Sequence, residues 1–160
     1  MPDDEAKPSS PGGSAPPDRG MNARRVVEAL SEAESMELLA TGGVGRLVYT
    51  SRYGPMALPV EYMVYEGSVV VRAWVASTEE DLRTGIAHAE YVVAVEADQV
   101  DPEAREGWFV LVRGAAHHLD TEVERAPISD AGLAPWTEGE PEHFIRVNPT
   151  SIWGNRVRRA

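Results

Sequence analysis

A mainly β chain of the α+β class is expected here: a small antiparallel barrel with short helices at its rim, assembled as a dimer. Three features point to it. From Val44 onward, apolar residues recur with a period of two in runs joined by short polar turns, the pattern of neighbouring antiparallel strands. The runs 92–95 and 109–112 are apolar at every position, so both of their faces must be covered. One face can line a barrel interior, and the other needs a helix or a second copy of the chain.

The elements follow in order. Residues 1–22 are dominated by proline, glycine and serine without periodicity, so they read as a disordered leader before a domain at 23–157 and a basic tail at 158–160. Ser31 with Glu34 is a capping box that opens a helix running to Ala40, with Met36, Leu38 and Leu39 on its buried side and Thr41-Gly42-Gly43 as its stop. Strands are expected at 44–50 and 56–65, the second presenting Met56, Leu58, Val60, Tyr62 and Val64 on one face. Pro59 within it marks an edge or a bulge. Glu66-Gly67-Ser68 turns into a third strand at 69–74, and a second helix spans 78–88. Strands at 91–97 and 108–119 follow, joined by a polar loop at 98–106. Segment 121–133 is weakly helical and interrupted by Pro127, and 144–147 with 151–157 form a last strand or strand pair.

Composition removes several function classes. With 160 residues the chain suits one domain, and with no cysteine it has no disulfide, thiolate nucleophile or cysteine-held metal. The sole lysine, Lys7, lies in the leader, which excludes lysine Schiff bases and P-loop chemistry in the domain. A net charge of -11 disfavours nucleic acid, and Arg156, Arg158 and Arg159 read as a solvated tail. No apolar run approaches a membrane span or a signal peptide, so a cytoplasmic protein with no membrane partner is expected. His88, His117, His118 and His143 form no recognisable metal set, since adjacent residues on a strand point to opposite faces; no metal is expected.

Residues 69–82, VVVRAWVASTEEDL, hold the main functional question. A strand ending near Arg72 runs into a helix start bearing Ser77 and Thr78, a natural seat for phosphate. Ser77 with Glu80, or Thr78 with Asp81, is equally a capping box, and Glu79, Glu80 and Asp81 already complement the helix dipole. Both readings stay open on the residues alone.

Several stretches together resemble the pyridoxamine 5'-phosphate oxidase-like, flavin-binding split-barrel family, in its short bacterial branch. They are Gly43-Val44-Gly45-Arg46-Leu47, Leu58-Pro59-Val60-Glu61-Tyr62, Val71-Arg72-Ala73, Gly107 to Gly114, Pro135-Trp136, and His143 to Val147. The resemblance covers roughly residues 30–157 and implies a split β-barrel homodimer with flavin sites between subunits. It implies that Arg72, with Ala73 and the hydroxyls of Ser77 and Thr78, would hold the cofactor phosphate. Pro59, Val60 and Glu61 would flank the flavin ring, and Trp108 and Arg113 would come from later strands, across the dimer. Three positions depart from the family's pattern: Ala73 replaces a threonine, no lysine follows the turn, and Glu61 stands where asparagine is frequent. Trp74, Trp108, Trp136 and Trp153 could line a ring site or pack in the core or dimer interface. A haem ligand among the histidines is a third-ranked expectation.

The resulting expectation is an oxidoreductase using FMN, with a deazaflavin coenzyme second, on a small organic substrate at a dimer-interface site. No catalytic residue is singled out. The alternative is a cofactor-free protein on the same barrel that binds a small molecule or catalyses a non-redox step.

Overall fold

The computed structural model describes residues 24–51, 53–73, 91–133 and 143–160. They form seven strands and two helices: β1 Arg25–Leu30, α1 Glu32–Leu39, β2 Gly43–Ser51, β3 Gly54–Tyr65, β4 Ser68–Ala73, β5 Val92–Asp101, β6 Glu106–His118, α2 Glu122–Asp130 and β7 His143–Arg159. The strand order is β1-β7-β4-β3-β2-β5-β6, every pairing is antiparallel, and a further β6–β7 ladder closes the ring.

The long strand β7 divides the barrel. β6 runs along one of its edges from Val157 back to Ile145. The other edge takes β4 over His143–Val147 and β1 over Gly154–Arg159, leaving a gap between the two ladders. This is an antiparallel split barrel. The last strand or strand pair expected over 144–147 and 151–157 is one continuous strand. The expected basic tail is also strand: Arg158 donates to both carboxylate oxygens of Glu28 at 2.9 and 3.1 Å, and Arg159 lies 3.4 Å from Glu106. The leader lies outside the described residues.

Alternation decides what fills the barrel. Val60 and Tyr62 of β3, Val69, Val71 and Ala73 of β4, Val93 and Val95 of β5, Val110 and Val112 of β6, and Ile145 and Val147 of β7 make one interior cluster. Met56, Leu58 and Val64 pack against it, so the face expected of β3 is the inner one. Pro59 is paired with Arg46 of β2, and among the described residues the pairing of β3 with β4 begins at Glu61.

The helices cover two different parts of this frame. In α1 the capping box is present: Ser31 donates its N–H and its hydroxyl to Glu34 at 2.8 and 2.7 Å, and Glu34 N–H donates back to Ser31 Oγ at 3.2 Å. Leu39 is fully buried, with Met36 and Leu38 against the interior cluster. A second capping box, Thr121 with Glu124, starts α2, and the helix continues through Pro127 rather than breaking there. Its Ile128 joins Leu119, Leu133, Val70 and Phe144 in a separate cluster on the outer face of β4 and β7. The polar loop expected at 98–106 is mostly strand; only 102–105 turns, with Asp101 Oδ1 accepting from the N–H groups of Glu103 and Ala104 at 2.9 Å each. Among the described residues, no helix is long and apolar enough to cross a membrane.

Candidate functional site

Every residue of β4 is buried, on both faces. Val69, Val71 and Ala73 point into the barrel. Val70 and Arg72 point outward, Val70 into the cluster that Ile128 of α2 joins. Arg72 is 0% exposed, the largest fully buried side chain among those described. A buried guanidinium needs an anion, because an unpaired charge in such surroundings is strongly penalised. Glu61 supplies it: Glu61 stands directly opposite Arg72 across the β3–β4 ladder, and Arg72 Nη2 donates to Glu61 Oε2. On the other side, Arg72 faces Phe144 of β7.

This pairing was legible and was missed. A two-residue turn, Glu66-Gly67, joins β3 to β4, with both residues at positive φ (47° and 73°). Such a turn fixes the register of the whole hairpin. Counting outward from Tyr65 opposite Ser68 brings Glu61 opposite Arg72.

The other expected site residues separate. Pro59 is exposed and Val60 is wholly buried in the interior, so Val60 can border an outer-face ligand only with its backbone. Glu61 is on the outer face but is spent on Arg72. Ala73 faces the core and offers no donor. Ser77 and Thr78, the proposed phosphate hydroxyls, lie outside the described residues, as do the expected helix at 78–88, Trp74, Trp136 and His88. Trp108 and Arg113 lie on opposite faces of β6, Trp108 against the interior cluster and Arg113 exposed. Neither shares a ladder with β4, so one chain does not bring them to Arg72.

Trp108 instead helps to line a pocket of about 250 Å³, with Val100, Arg105, Glu106, Phe109 and Val157. Two histidines also meet unforeseen: His118 and His143 pack edge to face with ring centroids 5.8 Å apart, beside the end of β4. His117 points to the other face, as alternation requires. Among the described residues, no three histidines and carboxylates gather as a metal site.

A charged network lies on the outer face of β2 and β5. Arg46 is 3.6 Å from Glu96 and 3.5 Å from Asp98. Burial pushes the Glu96 carboxyl above its ordinary range, Asp98 adds to the rise, and Arg46 opposes it.

With the fold and these positions established, the relatives fall into place. Residues 31–156 match the family of pyridoxamine 5'-phosphate oxidase. An uncharacterized Mycobacterium tuberculosis protein, Rv0080, is 34% identical over 136 residues, covering 85% of this chain and 88% of that one. The solved structure of an FAD binding protein from Mycobacterium smegmatis is 34% identical with a TM-score of 0.62, over 82% of this chain and all of that one (100%). A candidate pyridoxamine 5'-phosphate oxidase from Corynebacterium glutamicum is 26% identical with a TM-score of 0.66, over 84% and 100% of the two chains. The molecule is thus an antiparallel split barrel, with seven strands and two short helices among the described residues. The chain belongs to the pyridoxamine 5'-phosphate oxidase-like family.

Proposed function

We propose that this protein binds a flavin and acts as an oxidoreductase on a small organic substrate, at a site completed by a second copy of the chain. The observation that carries the reading is the 34% identity to an FAD binding protein whose whole chain is covered. FMN, FAD and a deazaflavin coenzyme are the cofactors to compare. A bound flavin supplies hydride or electron transfer, and the protein supplies orientation and local charge.

The phosphate is where the described residues do not fit. The guanidinium expected to receive it already holds a carboxylate, the following residue is Ala73, and no lysine stands in the domain. A dianion added beside Glu61 would meet a like charge. No step through the flavin is therefore derived from these side chains. The same observation favours a second reading, a cofactor-free split barrel that takes a small molecule or runs a non-redox step.

The homodimer belongs to this reading. Trp153, at 53% exposure, stands on the outer face of the barrel beside Phe109, with Val44 and Val92 also exposed outward (55% and 61%). A second barrel is the cover that such strands ask for. A cysteine-free chain needs no oxidising compartment, which supports a cytoplasmic protein.

The test is an absorption spectrum of the purified protein, then titration with FMN, FAD and the deazaflavin. A yellow protein, or micromolar uptake of any of the three, supports the redox reading. A colourless protein that ignores all three overturns it and leaves the cofactor-free reading.

A further inference from the structure

We propose that Glu61 is a built-in anion that occupies Arg72 and keeps the phosphate seat closed, so that this chain binds flavins without drawing on their phosphate. The proposal rests on the flavin-binding reading above and says how the chain treats the charged end of that ligand.

Three observations carry it. First, the contact is set by the backbone: Glu61 and Arg72 are direct cross-strand partners in a five-pair ladder that a tight turn holds in register. Glu61 is not a loop side chain that happens to fall near a cation. Second, burial orders the pair. Arg72 is 0% exposed and the Glu61 side chain 25%, so the carboxylate is the half that reaches solvent. A second anion approaching Arg72 meets Glu61 first. Third, among the described residues the neighbours of Arg72 offer little to an added dianion. Val70 and Phe144 flank Arg72 on its own face, and Ala73 has no hydroxyl. Arg146, the next outward residue of β7 after Phe144, is turned towards Glu66 at 3.8 Å and over the ring of Tyr65 at 5.5 Å.

A phosphate that takes the place of Glu61 on Arg72 exchanges one charge-assisted hydrogen bond for another. That exchange yields little net affinity. An open guanidinium would instead reward the phosphate strongly.

Riboflavin and FMN differ only by the phosphate, so their affinity ratio reads the seat directly. The expected result is that the wild-type protein binds the two within about threefold of each other, measured by quenching of flavin fluorescence. In Glu61→Gln the ratio should move towards FMN by about tenfold or more, with riboflavin unchanged. Inorganic phosphate should then compete with FMN in the variant and not in the wild type. A wild-type protein that prefers FMN by about tenfold or more overturns the proposal without any variant, which keeps it testable if Glu61→Gln does not fold. An unchanged ratio in a folded Glu61→Gln also overturns it, while riboflavin uptake leaves the flavin reading standing. Failure of both proteins to take any flavin overturns both.

Discussion

Glu61 and Arg72 form an ion pair whose two halves are buried unequally: the guanidinium is sealed at 0% exposure while the carboxylate keeps 25%. Removing either partner should therefore have different effects. Glu61→Gln takes a carboxylate from a guanidinium that is 0% exposed, a loss of about 3–5 kcal/mol for a broken buried pair. Arg72→Met leaves a carboxylate that can turn outward, for about 1–2 kcal/mol. The double variant should be more stable than Glu61→Gln alone, because the buried charge is gone. Denaturant unfolding of the four proteins measures the coupling, and strictly additive losses would show that the two side chains do not stabilise one another.

Gly114 sits where the β6–β7 ladder slips, Arg113 facing Ser151 and Gly114 facing Pro149. A Cβ placed there would lie 1.8 Å from the carbonyl oxygen of Asn148. Both groups are backbone, so neither can swing aside. Gly114→Ala should cost about 3 kcal/mol or more, at the upper end for overpacking. Gly54→Ala is the control: its φ is +110°, yet nothing lies within 4 Å, so only backbone strain of about 1 kcal/mol is expected. Equal melting temperatures for the two variants would contradict the close approach.

The contrast between local and distant signals explains what could be read before any coordinates. The α1 capping box needs only Ser31 and Glu34, three positions apart, and it was legible. The inner face of β3 needs only its own alternation. β1 was not legible, since Arg25–Leu30 has six residues and its partner lies at the far end of the chain, Arg25 opposite Arg159. For the same reason the terminal arginines looked like a tail. Whether 144–157 holds one strand or a pair stayed open in the sequence, because a bulge opposite Pro149 cannot be told there from a break. At the site, the resemblance points to Arg72 as a phosphate ligand and to Glu61 as a ring neighbour; their pairing with each other follows only from the hairpin register. The His118–His143 contact depends on the β6–β7 register across that bulge, which no short-range pattern sets.

Glu96 gives a pH dependence with a definite sign. Its folded-state carboxyl is raised, first by burial and then by Asp98. A raised carboxyl favours the protonated form, so the stability tied to that proton is present at acidic pH. It is lost as pH rises through the raised value. Glu96→Gln mimics the protonated state. It gives up an exposed ion pair with Arg46, worth about 0–1 kcal/mol, and Arg46 retains Asp98. The variant should melt at or above the wild-type temperature at pH 8, and its advantage should shrink as the pH falls towards the carboxylate range. A deficit at pH 8 that disappears in acid would reverse the sign and assign the dominant effect to the Arg46 pair.

Phe109 and Trp153 meet edge to face, ring centroids 5.2 Å apart at 77°, on the outer face of the barrel. Trp153 still exposes about half its surface (53%). Within one chain the contact contributes about 0.5–1.5 kcal/mol, which does not account for so large an apolar residue left in water. Covering by a second barrel would. Trp153→Glu places a charge at the centre of that face. It should convert a dimer into a folded monomer in light scattering coupled to gel filtration, with circular dichroism unchanged. The variant should also lose flavin uptake if the site is completed across subunits. A wild-type chain that is monomeric at tens of micromolar would remove the dimer from the proposal. A variant that stays dimeric would move the interface elsewhere, away from Trp153.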